Sequence, residues 1–226
     1  MSDLLDQAPE LRRLLTEAAN PTDAEAMAAY LKNQFDLLGV KTPARRAAQK
    51  STLTLARVAS PGEVIEFAHW CWQQPEREFQ YVATDLLRAV TKRLPAEAFD
   101  DITTFLTTKS WWDTVDAIAA HTVGGMILNY PELVDLMDDW IDSDNMWLAR
   151  SAIIYQLLYQ DKTDADRLFD YCSLRKADTE FFIRKAIGWA LRQYARTDPA
   201  AVLAFVDANP DLSGLSKREA LKHLQS

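Results

Sequence analysis

Apolar residues recur at three- and four-residue spacings along almost the whole chain, as in Leu148, Ala152, Ile153, Tyr155, Leu157 and Leu158, and no run alternates with period two. The pattern predicts an all-α protein. Proline punctuates it: Pro21, Pro43, Pro61, Pro75, Pro95, Pro131 and Pro199 each precede a helical pattern, where a missing N–H costs nothing. Thr22 with Glu25 and Ser60 with Glu63 read as capping boxes. Helices are expected at 3–18, 22–37, 42–57, 61–73, 76–91, 96–108, 112–128, 131–140, 145–160, 163–175, 178–196, 199–207 and 214–224, with no linker between them.

A weak internal repeat runs through the second half. Arg150-Ser151-Ala152-Ile153 recurs as Arg184-Lys185-Ala186-Ile187, with Asp116-Ala117-Ile118 one step earlier. The step is about 34 residues, the length of one helical hairpin in repeat proteins. Stacked hairpins of this kind form a superhelix with a concave face able to cradle an extended partner.

At 226 residues and 48% hydrophobic composition, the chain is long enough to bury a core without disulfides or metals, and a single domain over 1–226 is expected. Cys71 and Cys172 belong to no C-x-x-C pair, which fits a reducing compartment. The opening Met1-Ser2-Asp3-Leu4-Leu5-Asp6 lacks a basic stretch followed by an apolar one, and no apolar run is long enough to span a bilayer, so a cytoplasmic location is expected.

The net charge of −8 argues against a generic nucleic-acid binder, because Lys and Arg normally neutralise phosphates. Its distribution softens that objection. Glu132, Asp135, Asp138, Asp139, Asp142 and Asp144 fall in a stretch with no basic residue, and the remainder is nearly balanced. Lys41, Arg45, Arg46, Lys50 and Arg57 form one basic stretch, and Arg184, Lys185, Arg192 and Arg196 another. Solvated helix faces and a phosphate-binding surface both account for such runs.

The candidate chemistry centres on Ser110-Trp111-Trp112-Asp113-Thr114-Val115-Asp116. A separation of four puts Trp112 and Asp116 on one helix face, with Trp111 and Val115 turned toward the core and Asp113 suited to the first turn. Lys185, Trp189, Arg192 and Arg196 gather an indole and three cations into one stripe. Arg150, in an apolar segment, calls for a carboxylate or a ligand. His69, His121 and His223 are too scattered to suggest a metal, and Gly124-Gly125 lacks a phosphate-loop context and reads as close helix packing. No cofactor is implied.

The Ser110 to Asp116 string resembles the signature of the DNA alkylation repair glycosylases built from HEAT-like repeats, the AlkD type. Similar matches are Tyr30-Leu31-Lys32-Asn33-Gln34-Phe35 through Leu38-Gly39-Val40 to Pro43 and Arg45, then Asn145-Met146-Trp147-Leu148-Ala149-Arg150, then Ile183-Arg184-Lys185-Ala186-Ile187-Gly188-Trp189-Ala190-Leu191-Arg192. Together they cover residues 20 to 200. The resemblance implies a catalytic Asp116 and aromatic walls from Trp112, Trp189 and Tyr30. It further implies an Arg150 contact to the DNA backbone; Lys32, Arg45, Arg46, Lys185 and Arg192 are expected as further DNA-binding residues, with the stretches Lys41 to Arg57 and Arg184 to Arg196 lining the DNA face. The resemblance implies action on double-stranded DNA, releasing 3-methyladenine and 7-methylguanine while the lesion stays stacked; a monomer is expected. The family tends to be basic, so this acidic chain departs from it; the acidic block from Glu132 to Asp144 is expected to lie away from the DNA face.

Two other readings compete. A non-catalytic helical-repeat adaptor for protein or nucleic acid would use the same fold. A nucleoside hydrolase using Asp113 and Asp116 as acid and base fits less well, because paired-carboxylate glycosidases place their acids on opposite sides of the scissile bond.

Overall fold

The computed structural model describes residues 4–224, and these fold into helices with no strand. The one isolated bridge among them joins Asp36 to Glu76. Asp3, where the first helix was expected to begin, lies outside the described residues, as do Met1 and Ser2. The chain divides into two compact units, Met1–Asp101 and Ile102–Ser226.

The first unit contains α1 (Ala8–Glu17), α2 (Pro21–Tyr30), α3 (Thr42–Ala48), α4 (Lys50–Ala56), α5 (Pro61–Gln73) and α6 (Arg77–Val90), and its boundary falls within α7 (Phe99–Thr107). Helical spacing builds its core. Val64, Phe67, Ala68 and Cys71 of α5 and Phe79, Val82, Ala83, Leu86 and Leu87 of α6 are all fully buried where these two helices pack. Each large side chain so buried contributes about 1.5–3 kcal/mol. The Ser60–Glu63 capping box is present on α5. The expected Thr22–Glu25 box is not: Asn20 caps α2, accepting from the backbone of Thr22 and Asp23, with Pro21 in the first turn.

The expected helix at 22–37 ends early, at Tyr30. Lys32 and Asn33 adopt left-handed backbone, and Gly39 has φ 81°. A Cβ on Gly39 would stand 2.1 Å from the Asn20 carbonyl oxygen, so the chain passes too close for any side chain. The backbone donors of this loop find a partner far along the sequence. Glu78, fully buried on α6, accepts from Leu38 N at 3.1 Å, Gly39 N at 2.9 Å and Val40 N at 3.0 Å. The expected helix at 42–57 is likewise two, broken at Gln49.

The second unit continues with α8 (Trp112–Ala117), a π-helical segment (Ile118–Val123), α9 (Gly124–Asn129), α10 (Asp135–Ile141), α11 (Met146–Ile154), α12 (Ala165–Leu174), α13 (Phe181–Tyr194), α14 (Pro199–Ala208) and α15 (Gly214–Ala220). Packing runs α8 to α11, α11 to α13 and α13 to α15, so helices about one repeat step apart in sequence become neighbours in space. Gly124 allows one close approach: a Cβ there would meet the Tyr155 carbonyl oxygen at 2.3 Å, and the Tyr159 hydroxyl donates to the Gly124 carbonyl at 2.8 Å.

The helix expected at 145–160 stops at Ile154. Gln160 has φ 56°, and the loop is closed reciprocally by Asp164 N donating to Gln156 Oε1 at 2.7 Å and Gln156 Nε2 donating to the Asp164 carbonyl at 3.2 Å. Cys71 and Cys172 are free and buried, and burial pushes both thiols well above their usual range. No helix of the described residues is long and apolar enough to cross a membrane, and no group of three or more His, Cys, Asp or Glu among them is arranged to hold a metal ion.

Candidate active site

Helix α8 starts after Trp111, whose extended backbone (φ −159°) turns the chain into the helix. Asp113 sits in the first turn, where a carboxylate favours the positive helix end, and accepts from Thr114 N at 3.0 Å. Val115 is fully buried, as its spacing predicts, while Trp111 is half-buried. Asp116 stands near the end of α8, immediately before the winding widens into the π segment. Such segments recur at functional sites because i→i+5 bonding redirects the side chains that follow.

The partner of Asp116 is Arg150 on α11. The guanidinium Nε donates to Oδ1 at 2.7 Å and Nη2 to Oδ2 at 2.8 Å, while Nη1 donates to the Phe182 carbonyl at 2.5 Å. The Arg150 side chain is 5% exposed and that of Asp116 16%. Burial pushes the Asp116 carboxyl above the usual aspartate range; the Arg150 hydrogen bonds and charge pull it back down, and Asp113 adds a smaller upward push. Phe182 is braced in turn, with Trp111 at 5.2 Å and Trp147 at 5.1 Å between ring centroids. The aromatic cluster thus holds the carbonyl that holds Arg150.

Asp116 opens onto a cavity of about 220 Å³ lined by Ala117, Ala120, His121, Leu157, Leu158, Trp189 and Gln193. Asp116 and Trp189 therefore share one cavity. Trp112 lies one turn before Asp116 on α8, half-buried, and is not among the lining residues. His121, five residues beyond Asp116, is a cavity residue that sequence reasoning missed. Ordinary α-helical spacing places residue i+5 well away from residue i, so only the π winding brings the two to one wall.

The expected DNA-binding residues fall in varied settings. Lys185 and Arg192 on α13 both pair with Glu219 on α15, Lys185 at 2.8 Å. Their hydrogen bonds hold the Glu219 carboxyl below its usual range, that from Lys185 most strongly. In the first unit Arg45 is buried rather than displayed, donating to Asp85 at 3.0 Å with its guanidinium 5.1 Å from the Tyr81 ring centre. Tyr30, Lys32 and Arg46 are exposed. Within the acidic block, Asp138 accepts from Arg167 and from the Tyr171 hydroxyl at 2.6 Å.

A partly buried aspartate held by a buried arginine beside an open cavity with one indole in its wall marks the candidate site of this all-α helical-repeat protein. The chain belongs to the DNA alkylation repair enzyme family, whose model matches residues 11–224. It is similar to the structure of a predicted DNA alkylation repair enzyme from Enterococcus faecalis, with 33% identity and a TM-score of 0.86 over 91% of this chain and 96% of that one. The fold is shared with AlkD2 from Streptococcus mutans, at 16% identity and TM-score 0.65 over 90% of this chain and all of that one. It is shared also with smu.31 from Streptococcus mutans UA159, at 15% identity and TM-score 0.60 over 89% and 98% of the two chains. No curated protein matches the chain. Family membership places the protein in alkylation-damage repair, with DNA as a ligand.

Proposed function

We propose that the protein is a DNA glycosylase that hydrolyses the N-glycosidic bond of cationic N3- or N7-alkylated purines, 3-methyladenine and 7-methylguanine, in duplex DNA. The observation that carries the reading is the Asp116 carboxylate, fixed at two points by Arg150 and shared with Trp189 on one cavity wall. An alkylated purine already bears positive charge, so the bond electrons leave with the base and neutralise it without a general acid. Positive charge then develops on the deoxyribose at C1′. Asp116, oriented and partly desolvated, stabilises that charge, directs water to C1′ and accepts the proton that the adding water loses, while the Trp189 indole face favours the cationic sugar and base. Neutral purines need protonation to leave, and Asp116, ionised for its role at C1′, does not supply that proton.

On this reading Arg150 is a positioning residue, and Trp112 supports the helix that carries Asp116. Tyr30, Lys32 and Arg46 supply DNA contacts from the first unit. The lesion stays stacked rather than flipped, the chain acts as a monomeric HEAT-like-repeat domain in the cytoplasm, and no cofactor takes part. The test is release of 7-methylguanine and 3-methyladenine from methylated duplex DNA. Release by the native chain and its loss in Asp116→Asn, with DNA binding retained, is expected; equal release by both would sink the mechanism. A 2-aminopurine beside the lesion should show no flipping signal on binding.

A further inference from the structure

A second cavity, of about 240 Å³, lies in the same unit. Leu157 and Gln193 line both cavities, so these two side chains stand between the second cavity and the one that holds Asp116. Ile153, Leu168 and Ala190 complete an apolar floor. The Gln193 carboxamide, the Thr197 hydroxyl and the exposed Arg196 guanidinium provide polar groups around it. Among the described residues neither the Gln193 nor the Arg196 side chain has a hydrogen-bond partner. One wall is the loop locked by the Gln156–Asp164 bonds, so the cavity is preformed rather than dependent on a mobile segment.

We propose that this second cavity is a binding site for the free purine base released by the reaction. The inference rests on the glycosylase reading for the choice of ligand. A flat heterocycle covers the apolar floor with its face and meets the amide, hydroxyl and guanidinium groups with its polar edge, the usual division of labour in small-molecule pockets. Gln193 offers both a donor and an acceptor to that edge, and Arg196 donates to a carbonyl oxygen or ring nitrogen. A phosphate fits less well: there is one cation, and the floor would stay in contact with water. Since Gln193 lines both cavities, a base that leaves the duplex after the glycosidic bond breaks meets this site one side chain away from the Asp116 cavity.

The test uses the full chain without DNA, titrated calorimetrically with free 7-methylguanine. One site per chain is expected, and Ala190→Leu, which fills the second cavity alone, should weaken binding by about tenfold or more while Trp189→Ala changes it little. Should Ala190→Leu fail to fold by circular dichroism, Arg196→Gln and Thr197→Val at exposed positions should each weaken binding severalfold. In multiple-turnover base release, added 7-methylguanine should slow the native chain more than Ala190→Leu. No binding of the free base, displacement by inorganic phosphate at matching concentration, or loss in Trp189→Ala with retention in Ala190→Leu would overturn the proposal. Failure of the glycosylase reading shows differently, as absent release from methylated DNA whatever the free base does.

Discussion

Asp116 and Arg150 lie 34 residues apart in the chain and meet in a two-point ion pair with both bonds under 3 Å. The separation equals the repeat step of the sequence, so the same register that stacks α8 against α11 also delivers the cation to the carboxylate. Lys185 and Glu219 are 34 residues apart as well, on α13 and α15. The resemblance assigns Arg150 to the DNA backbone. Three of its five N–H donors are engaged within the protein, two of them on Asp116, so orienting that carboxylate is a role beside the expected backbone contact.

The first prediction separates those roles. Lysine keeps the charge at position 150 but cannot form the planar two-point bond. Arg150→Lys should therefore lower the single-turnover rate by about a hundredfold, the scale of losing a preorganised electrostatic contact. DNA affinity should stay within a factor of about two, since no phosphate contact is lost. A weakened Kd with an unchanged rate would make Arg150 a DNA contact.

A second prediction concerns pH. Burial raises the Asp116 carboxyl above the usual aspartate range, and the mechanism needs it ionised. Activity should thus fall on acidification at a higher pH than an exposed aspartate would give. In Arg150→Lys the acid limb should move higher still, because the hydrogen bonds that favour the charged form are lost. Stability runs the opposite way: a carboxyl raised in the folded state contributes fully below its unfolded pKa and loses that contribution as pH rises through the folded value. The native chain should lose stability relative to Asp116→Asn as pH rises through that window, as denaturant melts at several pH values would show. An acid limb matching that of a free aspartate would contradict the burial argument.

The third prediction follows from Glu219, which occupies two of the three cations of the basic stripe, Lys185 and Arg192. Glu219→Gln should free Lys185 and Arg192, tighten binding to unmodified duplex DNA several-fold at low salt, and steepen the salt dependence by up to about two phosphate contacts. Fluorescence anisotropy across a salt series measures both. An unchanged slope would mean that DNA does not reach this part of α13.

Much of this molecule can be read from spacing. Helices cover most of the expected segments, Val115 is core, Asp113 sits in the first turn, and the Gly124 close approach is present where the glycine pair suggests it. The failures have physical causes. The run from Leu31 to Leu38 keeps helical spacing, yet the chain leaves the helix and the donors of Leu38, Gly39 and Val40 end on Glu78, a tertiary partner about forty residues away that no local pattern reveals. His121 was unreadable because the π segment replaces the α period. The basic stripes looked like surface charge because sequence cannot show that Arg45 turns inward to Asp85, or that Glu219 closes over α13.

Glu78 supplies the last prediction. Three backbone donors of the loop following Tyr30 end on this one buried carboxylate, and hydrogen bonds to a charged acceptor are each worth about 1.5–3 kcal/mol. Glu78→Ala leaves buried amides at Gly39 and Val40 without an acceptor and should cost about 3 kcal/mol or more of stability. The loss should be local before it is global: amide exchange at residues 38–40 should accelerate most, while the α13 amides in the other unit change far less. If the loop also sets the end of α2, exchange at Leu31 should rise with it, since that amide closes the last turn on the Met27 carbonyl. Unaltered protection at 38–40 would show that the loop is held by Gly39 and its neighbours rather than by the carboxylate.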